Sequence, residues 1–160
     1  MSNPIFTIPW SGGGERVLAG YESGDLVVWD WSNNTQLTSV NMSSRVGTLM
    51  TCVWDWSRDR GAVLGSEDCV VVFDETLTLV KERRVTNKGL SEAVIRDDHK
   101  ILVTGGWDGR LRVFSWIKPD KLKPLAVLQY HKQSVETIST QDNMILAGSK
   151  DGRISVWGIY

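Results

Sequence analysis

Histidine and cysteine are scarce in this sequence, with two of each among 160 residues. That scarcity removes most of the side chains with which proteins hold transition metals or run acid–base and thiol chemistry near neutral pH. Cys52 and Cys69 stand at no metal-ligand or redox spacing, and each lies in an apolar, β-branched stretch, the setting of a reduced core thiol. A surplus of charge is missing too. Eighteen Lys and Arg oppose 19 Asp and Glu, a net charge of −1, so no basic field awaits a phosphate backbone and nucleic acid is not an expected partner. No apolar run approaches the roughly 18 residues that a membrane span needs. Met1 to Trp10 holds no basic segment followed by an apolar one. The expectation is a cytoplasmic or nuclear chain without membrane contact, in which the sequons Asn33-Asn34-Thr35 and Asn41-Met42-Ser43 are turn residues rather than sugar acceptors. What the chain does have is 41% hydrophobic residues and eight tryptophans. Large packing groups with few reactive ones favour a binding or scaffold role.

Catalytic patterns are equally thin. Ser11-Gly12-Gly13-Gly14 is glycine-rich, but no Gly-Lys-Ser/Thr follows and no helix is expected after it, so it reads as a turn and not a phosphate cradle. There is no nucleophile elbow, no His-Glu-x-x-His and no histidine pair at metal spacing. Asp97-Asp98-His99 clusters three polar groups at the tip of a turn between two strands, where such residues are normally solvated. No enzyme, cofactor or metal is expected.

The chain repeats itself. Four segments align: VLAGYESGDLVVWD (17–30), AVLGSEDCVVVFD (62–74), ILVTGGWDGRLRVFS (101–115) and ILAGSKDGRISVWG (145–158). Each is an apolar strand, a small-residue step, an acidic or Gly turn, and a second strand ending in an aromatic. The aromatics Trp29, Phe73, Phe114 and Trp157 are 44, 41 and 43 residues apart, a period that suits a four-stranded unit. Alternation at period two sets Leu111, Val113 and Ser115 against Arg112 and Phe114. Asp108-Gly109 and Asp151-Gly152 predict tight hairpins, with Gly accepting the positive φ of a primed turn. Leu125 to Leu128 and Val135 to Ile138 supply further strands, and Lys81 to Arg84 fits an outer strand better than a helix. No segment carries a convincing 3.6-residue period.

These units resemble WD repeats, and the chain is similar to part of an all-β propeller with radial four-stranded antiparallel blades at about 4–42, 47–85, 90–129 and 131–160. A narrower resemblance, to the guanine nucleotide-binding protein beta-subunit-like protein 1 family, is carried by VTNKGLSEAVIRDDHKILVTGGWDGRLRVFSW (85–116), PLAVLQYHKQSVETI (124–138) and ILAGSKDGRISVWGIY (145–160); residues 15–84 agree less closely. The resemblance implies a structural tetrad of His, Ser or Thr, Asp and Trp in each blade. No unit here has all four. In the last, His131, Asp151 and Trp157 match while Ala147 replaces the hydroxyl residue; the third keeps Thr104 and Asp108 but has Phe114 and no His. In the second, the turn reads one residue short, with Asp68 five before Phe73, and in the first Ser23 stands where Asp would be, six before Trp29. Stability is therefore expected to lean on apolar packing between blades.

The resemblance also implies rings of about seven blades. Ile5 to Ile8 offers one apolar strand directly before the first unit, with no spare strand to donate, and the last unit stops after its third, so the ring is expected not to close alone. Either missing N-terminal blades or self-association would cover the open ends. Loops on one face are expected to meet other proteins, through the residues before each turn acid: Glu22, Glu67, Trp107 and Lys150. Trp107 reads equally well as folded back onto its own blade. Lys118, Lys121 and Lys123 around Pro119 and Pro124 read as a solvated crossover. By resemblance, the function is a scaffold in co-chaperone assemblies that mature phosphatidylinositol-3-kinase-like kinases, with ties to genome-stability signalling and chromatin complexes. The alternatives are a G-protein beta-like signalling adaptor and a truncated product without independent function.

Overall fold

Period-two alternation places successive side chains on opposite faces of a strand, so a strand that is apolar at every position must be covered on both sides. Four antiparallel sheets solve this by stacking. A computed structural model describes residues 4–9, 15–118 and 120–160; the Gly run 11–14 and Pro119 lie outside the described residues. The first sheet contains β1 (Pro4–Pro9), β2 (Arg16–Tyr21), β3 (Asp25–Asp30) and β4 (Thr35–Asn41). One helical turn, α1 (Ser43–Val46), leads to β5 (Leu49–Asp55), β6 (Arg60–Gly65), β7 (Cys69–Asp74) and β8 (Leu79–Arg84). The third sheet is β9 (Leu90–Ile95), β10 (Ile101–Gly106), β11 (Arg110–Ser115) and β12 (Pro124–Gln129). The fourth holds three strands, β13 (Val135–Gln141), β14 (Met144–Ser149) and β15 (Ile154–Gly158).

Each sheet is a simple meander, and the leading strands β1, β5, β9 and β13 sit beside one another along one side of the array. This is a partial β-propeller: radial blades around an axis, open at both ends. Three apolar cores lie between the blades, and alternation sorts the side chains among them. Leu26 and Val28 of β3 meet Val63, Val71 and Phe73 in the first core. Ala62, Leu64, Val70 and Val72, from the opposite face of the same sheet, meet Leu102 and Phe114 in the second. Val103, Leu111 and Val113 then meet Val135, Ile145 and Ala147 in the third. A buried Val or Leu side chain is worth about 1.5–3 kcal/mol in transfer free energy. The cores therefore outweigh any single polar contact described below.

Cys52 and Cys69 are both buried in the first core and unbridged, and burial pushes the Cys69 thiol up to about 12, with the Glu82 carboxylate adding to it. Their thiolates are suppressed, so they act as small apolar groups. Lys81 to Arg84 form an outer strand and Leu122 pins the Lys118–Lys123 crossover into the second core.

The hairpins differ from the primed form. Gly109 N–H donates to Gly106 O at 3.1 Å and Gly152 N–H to Ser149 O at 3.1 Å. Positive φ falls only on the closing glycines, +77° and +76°, and not on Trp107, Asp108, Lys150 or Asp151. This is the three-residue hairpin, in which a glycine in the left-handed region follows an ordinary turn. The form matters because it points residues 107 and 150 outward on one face.

Candidate functional site

Cross-strand register decides which polar groups can meet. In the fourth sheet Ala147 of β14 pairs with Ser155 of β15, and it is Ser155 that supplies the hydroxyl. Trp157 Nε1–H donates to Ser155 Oγ at 2.9 Å, and Ser155 Oγ lies 2.8 Å from His131 Nε2. His131 Nδ1 in turn lies 3.3 Å from Asp151 Oδ1. A carboxylate can only accept, so one donor order is self-consistent: Trp157 to Ser155, Ser155 to His131 Nε2, and Nδ1–H to Asp151. Asp151 also accepts from the backbone N–H groups of Lys132 at 2.9 Å and Arg153 at 3.0 Å. The Lys132 bond leads the causes that lower its pKa, against a smaller opposing effect of burial. The arrangement closes the turn onto the loop that enters the sheet.

In the third sheet the same register position carries Arg112, opposite Thr104. The guanidinium is buried, donates to Asp108 at 2.7 and 3.3 Å, and reaches Thr86 O at 2.5 Å. Asn87 Nδ2 donates to the Asp108 carboxylate at 2.9 Å. Burial opposes ionisation of Asp108, but the bonds from Arg112 and Asn87 prevail and lower its pKa. Arg112 thus ties turn to entry loop where His131, Ser155 and Trp157 do so in the last sheet. Thr104 is fully buried and its Oγ1 has no hydrogen-bond partner, so the expected hydroxyl member does not join. Phe114 and Phe73 are core residues, Phe73 packing on Trp54 with ring centroids 5.7 Å apart.

The second sheet's connection is not short. Three residues join β6 to β7, as three join β10 to β11, and Glu67 rather than Asp68 stands where Asp108 does. Asp68 instead pairs with Arg84 at 2.5 Å, and Glu67 with Lys88 at 2.7 Å. Ser66 is therefore the positional counterpart of Trp107. In the first sheet, Ser23 bonds Asp25 at 2.7 Å, and Trp29 lines a cleft on the open face with Tyr21. Glu22 is exposed on its turn.

Trp107 is both folded back and accessible. One side of its ring covers Gly89, where a Cβ would fall 2.2 Å from the indole, and 46% of the residue remains exposed. Trp107, Lys150, Glu136, Met50, Ser91 and Ser134 line a cleft of about 410 Å³ that spans the second, third and fourth sheets. Sequence reading found two of these six. The others come from the leading strands and entry loops of neighbouring sheets, which only the stacking of blades brings together.

A second polar cluster, absent from the sequence reading, clamps the opposite face. Trp116 Nε1–H donates to Asp55 Oδ2 at 2.7 Å, Ser57 Oγ donates to Oδ1 at 2.8 Å, and Arg60 stacks over the Trp116 ring at 4.3 Å. Asp97 and Asp98 are exposed as a turn tip predicts, and His99 keeps 41% of its side chain exposed while its Nδ1 lies 2.8 Å from Oδ1 of the buried Asp55 of the preceding sheet. Burial disfavours the Asp55 charge, yet the bonds from Ser57 and Trp116 and the nearby His99 lower its pKa. Asp98 pairs with Arg96 at 2.6 Å. Among the described residues, no group of His, Cys, Asp and Glu is placed to hold a metal, and no helix is long and apolar enough to cross a membrane.

With this geometry established, the comparisons are specific. The WD domain, G-beta repeat model matches residues 87–115 and 122–158. Those two stretches are WD40 repeats. It is 37% identical over 150 residues to mouse guanine nucleotide-binding protein subunit beta-like protein 1, covering 90% of the chain and 44% of that protein. It is 30% identical to ASTRA-associated protein 1 of Schizosaccharomyces pombe over 168 residues and to that of Schizosaccharomyces japonicus over 169, with the same coverage. The chain thus spans less than half the length of these relatives. Among solved structures, the computationally designed Ika4 protein superposes with a TM-score of 0.78 at 19% identity, covering 91% of this chain and 86% of that one, which supports the fold alone.

Proposed function

We propose that this WD40 chain is a non-catalytic scaffold in the cytoplasm or nucleus, whose turn-bearing face binds other proteins within ASTRA-type assemblies. The observation that carries the reading is the placement of the half-exposed Trp107 in a cleft built by three successive sheets. An exposed indole held rigidly by backbone gives a large contact area at little entropy cost, the profile of an interface anchor. The polar clusters are closed on themselves, whereas Trp107, Lys150 and Glu22 are exposed and Glu67 is half-buried against Lys88. The assembly is inferred from the names of the relatives. Tagged chain purified from its own cells should co-purify subunits of an ASTRA-type assembly, and Trp107→Ala should remove them while leaving the circular dichroism spectrum intact. Absence of such subunits above an untagged control would contradict the reading.

A further inference from the structure

We infer that the cleft beside Trp107 is a receptor for an arginine side chain presented by a protein partner. The inference rests on the interaction reading of this face and goes further by naming the group received.

The argument is one of donor and acceptor supply. Ser91 Oγ–H is committed to the backbone carbonyls of Val135 and Gly105, and Ser134 Oγ–H to Val135 O. With their protons directed into the backbone, both oxygens have only lone pairs left for an incoming group. Met50 adds a thioether, a weak acceptor, Trp107 adds a π-face, and Glu136 adds a carboxylate. Lys150 is the single charged donor of the lining, and it stands 4.0 Å from Glu136 with 65% of its side chain exposed, a loose rim pair. A lining rich in acceptors and poor in donors fits a group with donors only. The guanidinium has five N–H groups and a flat face for stacking on an indole, and its weaker hydration makes it easier to desolvate than an ammonium. An anion would meet the Glu136 carboxylate and lone pairs on both serines.

The test uses the folded chain and two blocked tripeptides, acetyl-Gly-Arg-Gly-amide and its neutral isostere with citrulline in place of arginine. Binding is read from the indole N–H resonance of Trp107, assigned by its loss in Trp107→Leu. The arginine peptide should shift that resonance saturably and bind about tenfold more tightly than the citrulline peptide, as a cation–π contact joined to a carboxylate pair implies. Glu136→Gln, an exposed change that leaves the fold intact, should weaken arginine binding about fivefold without affecting the citrulline peptide. Equal binding of the two peptides, or no shift with either, overturns the inference. Capture of ASTRA-type subunits that is lost in Trp107→Ala yet unchanged in Glu136→Gln also overturns it, while leaving the scaffold reading in place.

Discussion

Ser155 shows how one hydroxyl can be moved without changing the network it serves. Register sets Ser155 beside Ala147, and facing Cβ atoms in such pairs are about 4.5–5.5 Å apart. Ser155→Ala should leave His131 Nε2 and the Trp157 indole without their shared partner and cost about 1–3 kcal/mol in urea unfolding. Adding Ala147→Ser in that background should recover part of the loss; no recovery would mean that the second strand cannot supply the group. Arg112 makes the contrasting case, because its charge cannot be removed by pH. Removing it by Arg112→Leu leaves the Asp108 carboxylate without its buried cation, held by Asn87 and the Arg110 N–H, and should cost about 3 kcal/mol. The sign of the pH effect follows from Asp108. Its pKa is depressed on folding, so its contribution is present above the unfolded value of about 3.9 and fades as pH falls through the lower folded value. In Arg112→Leu that acid-side loss should shrink, as measured by unfolding from pH 6 down to about 2. His131, Asp151 and Trp157 were legible as a group because their spacing is fixed by the hairpin. Ser155 and Arg112 were not, since alternation reports a face and never says which of two facing residues carries the polar atom.

Strands, not single contacts, carry the element scale. Every residue of β6 and β10 is buried, whereas β15 has one partner strand and leaves Ile154 and Val156 exposed. Amide exchange should therefore be slowest in β6, β7 and β10 and fastest in β15, with a difference of several orders of magnitude if opening of the last sheet is local. Uniform protection across all strands would contradict this ranking. The clamp between the second and third sheets is testable through Trp116→Phe, which keeps the ring but removes the N–H from Asp55, and should cost about 1–3 kcal/mol. The strands themselves were readable because a 41–44 residue period with two-residue alternation admits few other folds. The hairpin form was not, because Asp-Gly serves both the primed turn and the three-residue loop, and only φ at the preceding residues separates them. The Asp55 cluster was invisible for a different reason: Asp55 ends a strand of the second sheet, whereas His99 and Trp116 flank strands of the third, and only stacking joins them.

At the scale of the molecule, four sheets share three cores and the ends of the array stay open. The fourth sheet's outer face presents Met144, Leu146, Ile154 and Val156, and the first sheet's presents Tyr21 and Trp29. Substitution at the open end should be tolerated where substitution inside is not. Val156→Lys should change stability by no more than about 0.5 kcal/mol, whereas Val71→Ala in the first core should cost about 2 kcal/mol or more. The partial propeller was legible from repeat counting, and the cleft around Trp107 was legible only in part, because a binding face assembled from three sheets has no linear signature. The central claim is that inter-sheet packing, reinforced by the buried Arg112 and His131 networks, makes the four sheets one cooperative unit able to present that face. Urea unfolding followed in parallel by tryptophan fluorescence and far-ultraviolet circular dichroism tests it most directly. The account predicts one sigmoidal transition with coincident midpoints for the two signals. A gradual, non-coincident loss, with fluorescence already at its unfolded value in the absence of urea, would contradict it.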